Sequence, residues 1–125
     1  MSMTDVATFL LVAAPIMERT RNFYGHAAQE QYKCFFGVAV HVTVILWRLL
    51  HENALLGTIA SSMEPKHLLW TLYFLQNYPS NRIHAAQMNA DSTTVRRYIW
   101  EIINAMAELT DYLVSEILLF VSLID

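Results

Sequence analysis

An all-α fold, a compact bundle of about five or six helices containing a helix-turn-helix, is what this sequence predicts, on three observations. Only three Gly and three Pro occur in 125 residues, too few to punctuate a sandwich of short strands. The chain is 55% hydrophobic, which argues for a packed core and against disorder. Between Pro65 and Trp100 the residues fall in the order helix, short helix, sharp turn, longer helix. The length suits one domain with one core, so residues 1–125 are taken as a single helical domain.

The elements follow in order. Thr4 to Ala14 predicts a short apolar helix ending before Pro15, and Ile16 to Gly25 a more polar connection or helix. His26 to Phe36 is helix-compatible, with Gly37 placed as the left-handed residue that closes it. Ala39 to Glu52 predicts a helix whose Val40, Val44, Trp47 and Leu50 or Leu49 return at helical spacing, leaving Arg48 and His51 outward. Asn53 to Glu64, with Gly57 and the Ser61–Ser62 pair, reads as a partly helical connector. Pro65 then opens a helix to Tyr78, with Leu68, Leu69, Leu72, Tyr73, Leu75 and Gln76 on one face, and Pro79 forbids its continuation. Ser80 or Asn81 can cap a short helix through Met88, Asn89 can take the tight-turn conformation, and Asp91 can cap a third helix from Ser92.

Charge and composition narrow the function. The net charge is -3, yet all eight basic residues lie within residues 1–100, against six acidic ones there, while 101–125 holds five acidic residues and no basic one. The front is weakly positive and the tail acidic. The runs Phe9 to Ala14 and Ile117 to Ile124 are too short to span a bilayer, and Asp5 stands where a signal peptide would be positive. Cys34 is the one cysteine and reads as a small buried residue. His26, His41, His51, His67 and His84 lack the close pairing of zinc ligands and read as surface or core-edge residues, so no metal is expected. Gly only at positions 25, 37 and 57 leaves no phosphate loop, and Trp47, Trp70 and Trp100 read as core rather than as a cofactor pocket. No catalytic residue, cofactor or small-molecule substrate is expected.

Within the helix-turn-helix, Ala85 is small where two helices approach, Met88 and Ala90 flank the turn, and Val95 with Tyr98 or Ile99 supplies the buried side of the last helix. His84 stands where an apolar residue is commoner, and Asn89 where Gly is usual. In this arrangement the helix from Ser92 lies in a major groove, offering Ser92, Thr93, Thr94, Arg96 and Arg97 to duplex DNA. Hydroxyls and the helix N-terminus hold phosphates, and an arginine either bridges guanine acceptors or pairs with phosphate. Helical hairpins of this kind also occur in bundles that never touch DNA, where the two arginines form only a solvated face.

The words Tyr32-Lys33-Cys34-Phe35-Phe36-Gly37-Val38, Leu46-Trp47-Arg48-Leu49-Leu50, the run Pro65 to Leu75 with Tyr78-Pro79, and Asp91 to Trp100 carry a resemblance. Over about Tyr32 to Leu113, two thirds of the chain, the sequence resembles the N-terminal helical region of Harbinger-type DDE transposases and their domesticated relatives. The resemblance implies recognition of element-end DNA through Ser92 to Arg97, and a nuclear location if the source is eukaryotic, otherwise an intracellular one. Those transposases continue into a metal-dependent nuclease, whereas Asp91, Glu101, Glu108, Asp111 and Glu116 lie too close together for such a triad, so no nuclease activity is expected. Residues 114–125, acidic and apolar, no longer resemble the family.

A second expectation belongs to another class. Val95, Ile99, Ile102, Met106, Leu109 and Leu113 recur with alternating steps of four and three, the spacing of a coiled-coil seam. Ile99, Ile102, Met106, Leu109 and Leu113 would then meet a second copy or a helical protein partner, in a module that has lost DNA binding. The competing arrangement packs the stripe into the domain's own core. Trp100, Ile103 and Ala107 make the neighbouring face apolar as well, so the helix is expected to bury more than one side.

Overall fold

The computed structural model describes residues 6–20, 28–53, 57 and 61–124. Their regular structure is helical throughout: α1 (Val6–Thr20), α2 (Ala28–Phe36), α3 (Val40–Glu52), α4 (Pro65–Asn77), α5 (Asn81–Met88) and α6 (Ser92–Ile124). The all-α bundle predicted from sequence is the fold observed. α4 lies at its centre, against α1, α2 and above all α6, while α5 packs on α6 and α1. One contiguous core draws on all six helices, including Phe9, Tyr32, Phe36, Leu50, Leu69, Met88 and Ile102.

α1 departs from expectation, because Pro15 lies inside it. Proline removes the amide that would bond to the carbonyl four residues back, which is that of Leu11. Both Leu11 and Pro15 are on the exposed side, where water can serve that carbonyl, while Phe9, Ala13, Ile16 and Met17 bury the opposite stripe. Burial of this stripe outweighs the local defect. α2 buries Tyr32, Phe35 and Phe36, which turns Cys34 outward; its expected buried role is not met. Gly37 closes α2 at φ 81° and donates its amide to the Lys33 carbonyl, as anticipated. A Cβ there would meet Gln76 Oε1 at 2.6 Å, which that exposed side chain can relieve by moving, so the left-handed φ is what favours glycine.

On α3, Val40, Val44 and Leu50 are buried, Trp47 and Leu49 half-buried, and Arg48 and His51 outward. Thr43 joins the buried face because Tyr32 Oη donates a 2.7 Å hydrogen bond to its hydroxyl, tying α2 to α3. Burial pushes the Tyr32 phenol above its ordinary pKa. Of the connector after Asn53, only Gly57 and residues 61–64 lie within the described residues. α4 runs unbroken until Tyr78 turns left-handed at φ 49° before Pro79. Its buried run is His67 to Tyr73; Leu75 is half-buried, and Gln76, expected on the apolar face, is exposed.

Candidate nucleic-acid interface

α5 begins where Ser80 Oγ accepts the Ile83 amide, and it ends in a capping motif centred on Asn89. Asn89 sits at φ 56°, its amide donating to Ala86 and that of Ala90 to Ala85, which satisfies two carbonyls left over at the helix end. The chain reverses over Asn89 and Ala90, and α6 starts at once. Asp91 caps it: Oδ2 accepts the amides of Thr93 at 3.1 Å and Thr94 at 3.2 Å. Ala85, Met88, Val95, Tyr98 and Ile99 are buried between the helices, so the packing demands of a helix-turn-helix are met by the residues that sequence nominated.

His84 is the exception that needs an account. It is 1% exposed, lies against the rings of Tyr73 and Phe74, and hydrogen-bonds to the Trp70 backbone, while its Nε2 meets no partner among the described residues. Burial, opposed by that hydrogen bond, holds its pKa down at about 4. His67 on α4 is also buried, stacked on Tyr98 of α6 with ring centroids 3.7 Å apart. Its Nδ1 accepts the Glu64 amide at 2.8 Å and so completes a capping box at the start of α4. Burial, then the neighbouring Lys66 ammonium, lower its pKa to about 4. Both histidines are therefore neutral structural residues, deeper than the surface or core-edge placement expected for them.

Ser92, Thr93, Thr94, Arg96 and Arg97 are all exposed, together on the first two turns of α6. Arg97 reaches Glu101 at 3.8 Å, a surface pair on one helix face that constrains it only weakly. Among the described residues Arg96 makes no ion pair, and it borders a surface cavity of about 320 Å³ with Phe74, Ile99 and Trp100. The helix N-terminus is less open to phosphate than sequence suggested, since the Asp91 carboxylate already holds the Thr93 and Thr94 amides. What remains for an anion is the Ser92 and Thr93 hydroxyls and the two guanidinium groups. Segment 65–100 carries Lys66, Arg82, Arg96 and Arg97 against Asp91 alone, so the helix-turn-helix is locally basic on an acidic chain.

The nominated partner stripe divides. Ile99, Ile102 and Leu109 are core residues and Met106 is half-buried, so they are filled by the domain itself; Leu113 is exposed. Trp100, read from sequence as core, is 54% exposed, standing edge-on to Phe74 at 6.5 Å. No three His, Cys, Asp or Glu side chains converge among the described residues as a metal site would require. No described helix is long and apolar enough to cross a membrane. Compared with models of protein families, with curated proteins and with solved structures, the chain matches none.

Proposed function

We propose that this chain is a non-catalytic DNA-binding domain of transposase type, holding duplex DNA through the first turns of α6. The observation that carries the reading is the exposure of Ser92, Thr93, Thr94, Arg96 and Arg97 on a helix that follows a tight, fully capped turn, within a segment of local positive charge. The packed α4–α5–α6 unit makes those side chains a rigid presentation, which is what groove recognition requires. Arg82, exposed on α5, adds a cation that can contact the flanking backbone. In a eukaryotic source such a domain would work in the nucleus.

Titration against random-sequence duplex at two salt concentrations tests the reading. Binding should weaken steeply as salt rises, because each phosphate contact releases counterions. Replacing Arg96 and Arg97 together by Ala should weaken binding and lower the slope of log affinity against log salt by about 2, with helicity unchanged. Unchanged affinity of the double variant at low salt would reject α6 as the recognition helix.

A further inference from the structure

Where α4 ends against α6, the surface carries a row of aromatic rings with Phe74 at its middle. The Phe74 ring meets Trp100 of α6 at 6.5 Å, Tyr78 at 6.1 Å and the buried His84 at 6.0 Å. These contacts hold Phe74 in place and leave the outer rings open, with Tyr78 74% exposed. Tyr78 also takes φ 49°, so its ring stands at a turn that glycine or asparagine would make with less strain.

The cavity of about 320 Å³ lies beside this row, with Phe74, Ile99 and Trp100 as its apolar walls and Arg96 as its polar one. That volume is at the small end of ligand sites and suits one planar ring system. The Phe74 and Trp100 rings stand at 61° to each other and form a corner, so a flat ligand can lie on one face and meet the edge of the other. The described lining holds no carboxylate, and Arg96 makes no ion pair among the described residues, so the site calls for an anionic group beside the ring.

We propose that this cavity takes an unpaired nucleotide of the bound DNA, with its base in the Phe74–Trp100 corner and its phosphate on Arg96. Arg96 selects the occupant, because it belongs both to the DNA-facing residues of α6 and to the cavity wall. A phosphate on Arg96 brings its own nucleotide to the mouth of the cavity. Arg96 and Trp100 are one helical turn apart, about 6 Å along the axis, a gap that the sugar between base and phosphate can span. Tyr78, next along the row, offers a neighbouring unpaired base a second face. A paired base would first have to leave its stack, a cost that an unpaired base does not carry. The protein therefore prefers DNA with a bulge, gap or frayed end to a perfect duplex. This inference rests on the DNA reading, which sets a duplex beside the cavity.

The experiment titrates the full chain with a short duplex and with the same duplex carrying one unpaired 2-aminopurine. The bulged duplex should bind about tenfold tighter, within the range of a base–aromatic stack, and the 2-aminopurine should lose fluorescence as it stacks. Trp100→Ala, a change at a mostly exposed position, should bring the two affinities together with helicity retained, whereas Trp100→Phe should keep most of the preference. Equal affinity of the wild type for both duplexes, or a preference that survives Trp100→Ala, overturns the proposal and leaves the duplex reading standing. Binding to neither duplex overturns both. Free deoxyadenosine monophosphate should compete poorly, since it lacks the contacts of the duplex with α6; competition as strong as that of the bulged duplex would make a free nucleotide the ligand and overturn the assignment to DNA.

Discussion

His67 accepts the Glu64 amide through Nδ1, and that bond exists only while the nitrogen carries no proton. His84 sits 1% exposed with one ring nitrogen already unpartnered among the described residues, so a charge there would be worse placed still. Both have pKa values near 4 in the fold, against an ordinary 6.5. Above 6.5 each is neutral whether folded or not, and stability is complete. Between 6.5 and 4 the unfolded chain takes up protons that the folded chain refuses, so stability falls with pH by up to about 3 kcal/mol per histidine. Urea midpoints measured from pH 7.5 to 4.5 should decline across this window. In His84→Leu the decline should shrink by roughly half and stability at pH 7 should change little, since the lost hydrogen bond to the Trp70 backbone is offset by removal of an unsatisfied buried atom. A midpoint that stays level over the window would contradict the assignment. Sequence exposed the oddity of His84 in an apolar position, but it could not show that His67 reads back to Glu64 and across to Tyr98, because that contact depends on how α4 meets α6.

At the scale of the element, the capping of α6 by Asp91 sets two demands against each other. The carboxylate holds the Thr93 and Thr94 amides and stabilises the helix, yet it places a negative charge where phosphate would approach. Asp91→Asn keeps an oxygen acceptor and removes the charge. It should tighten duplex binding several-fold and cost under about 1 kcal/mol of stability, whereas Asp91→Ala should cost about 1 kcal/mol through loss of the cap. Equal DNA affinity in wild type and Asp91→Asn would show that α6 does not approach phosphate by its first turn. Most element boundaries were legible because they rest on local chemistry: Gly37, Pro65, Pro79, Asn89 and Asp91 each act within a few residues. Pro15 misled for the same reason. Its local veto was overridden by the burial of Phe9, Ala13, Ile16 and Met17, which is a tertiary fact.

For the whole molecule, periodicity identified α6 as an amphipathic helix but could not say which of two apolar lines meets the core. Val95, Ile99, Ile102 and Leu109 and the outer line from Trp100 share the same spacing, and only the position of α4 decides between them. The candidate DNA-facing residues were legible as a group because the turn fixes them at the start of a helix. Their competition with Asp91 for the helix end was not legible, because it depends on Oδ2 reaching the Thr93 and Thr94 amides.

The 33 residues of α6 form one rod about 50 Å long, on which Leu109 is the last buried residue among those described. The side chains described beyond that point are exposed, and a fifteen-residue helix without tertiary support is marginal in water. Deuterium uptake should therefore be slow from Val95 to Leu109 and fast from Thr110 onward in dilute protein. Slowing of exchange there at rising protein concentration would show that copies of the chain order the far end when they meet, and unchanged exchange would leave it without that support.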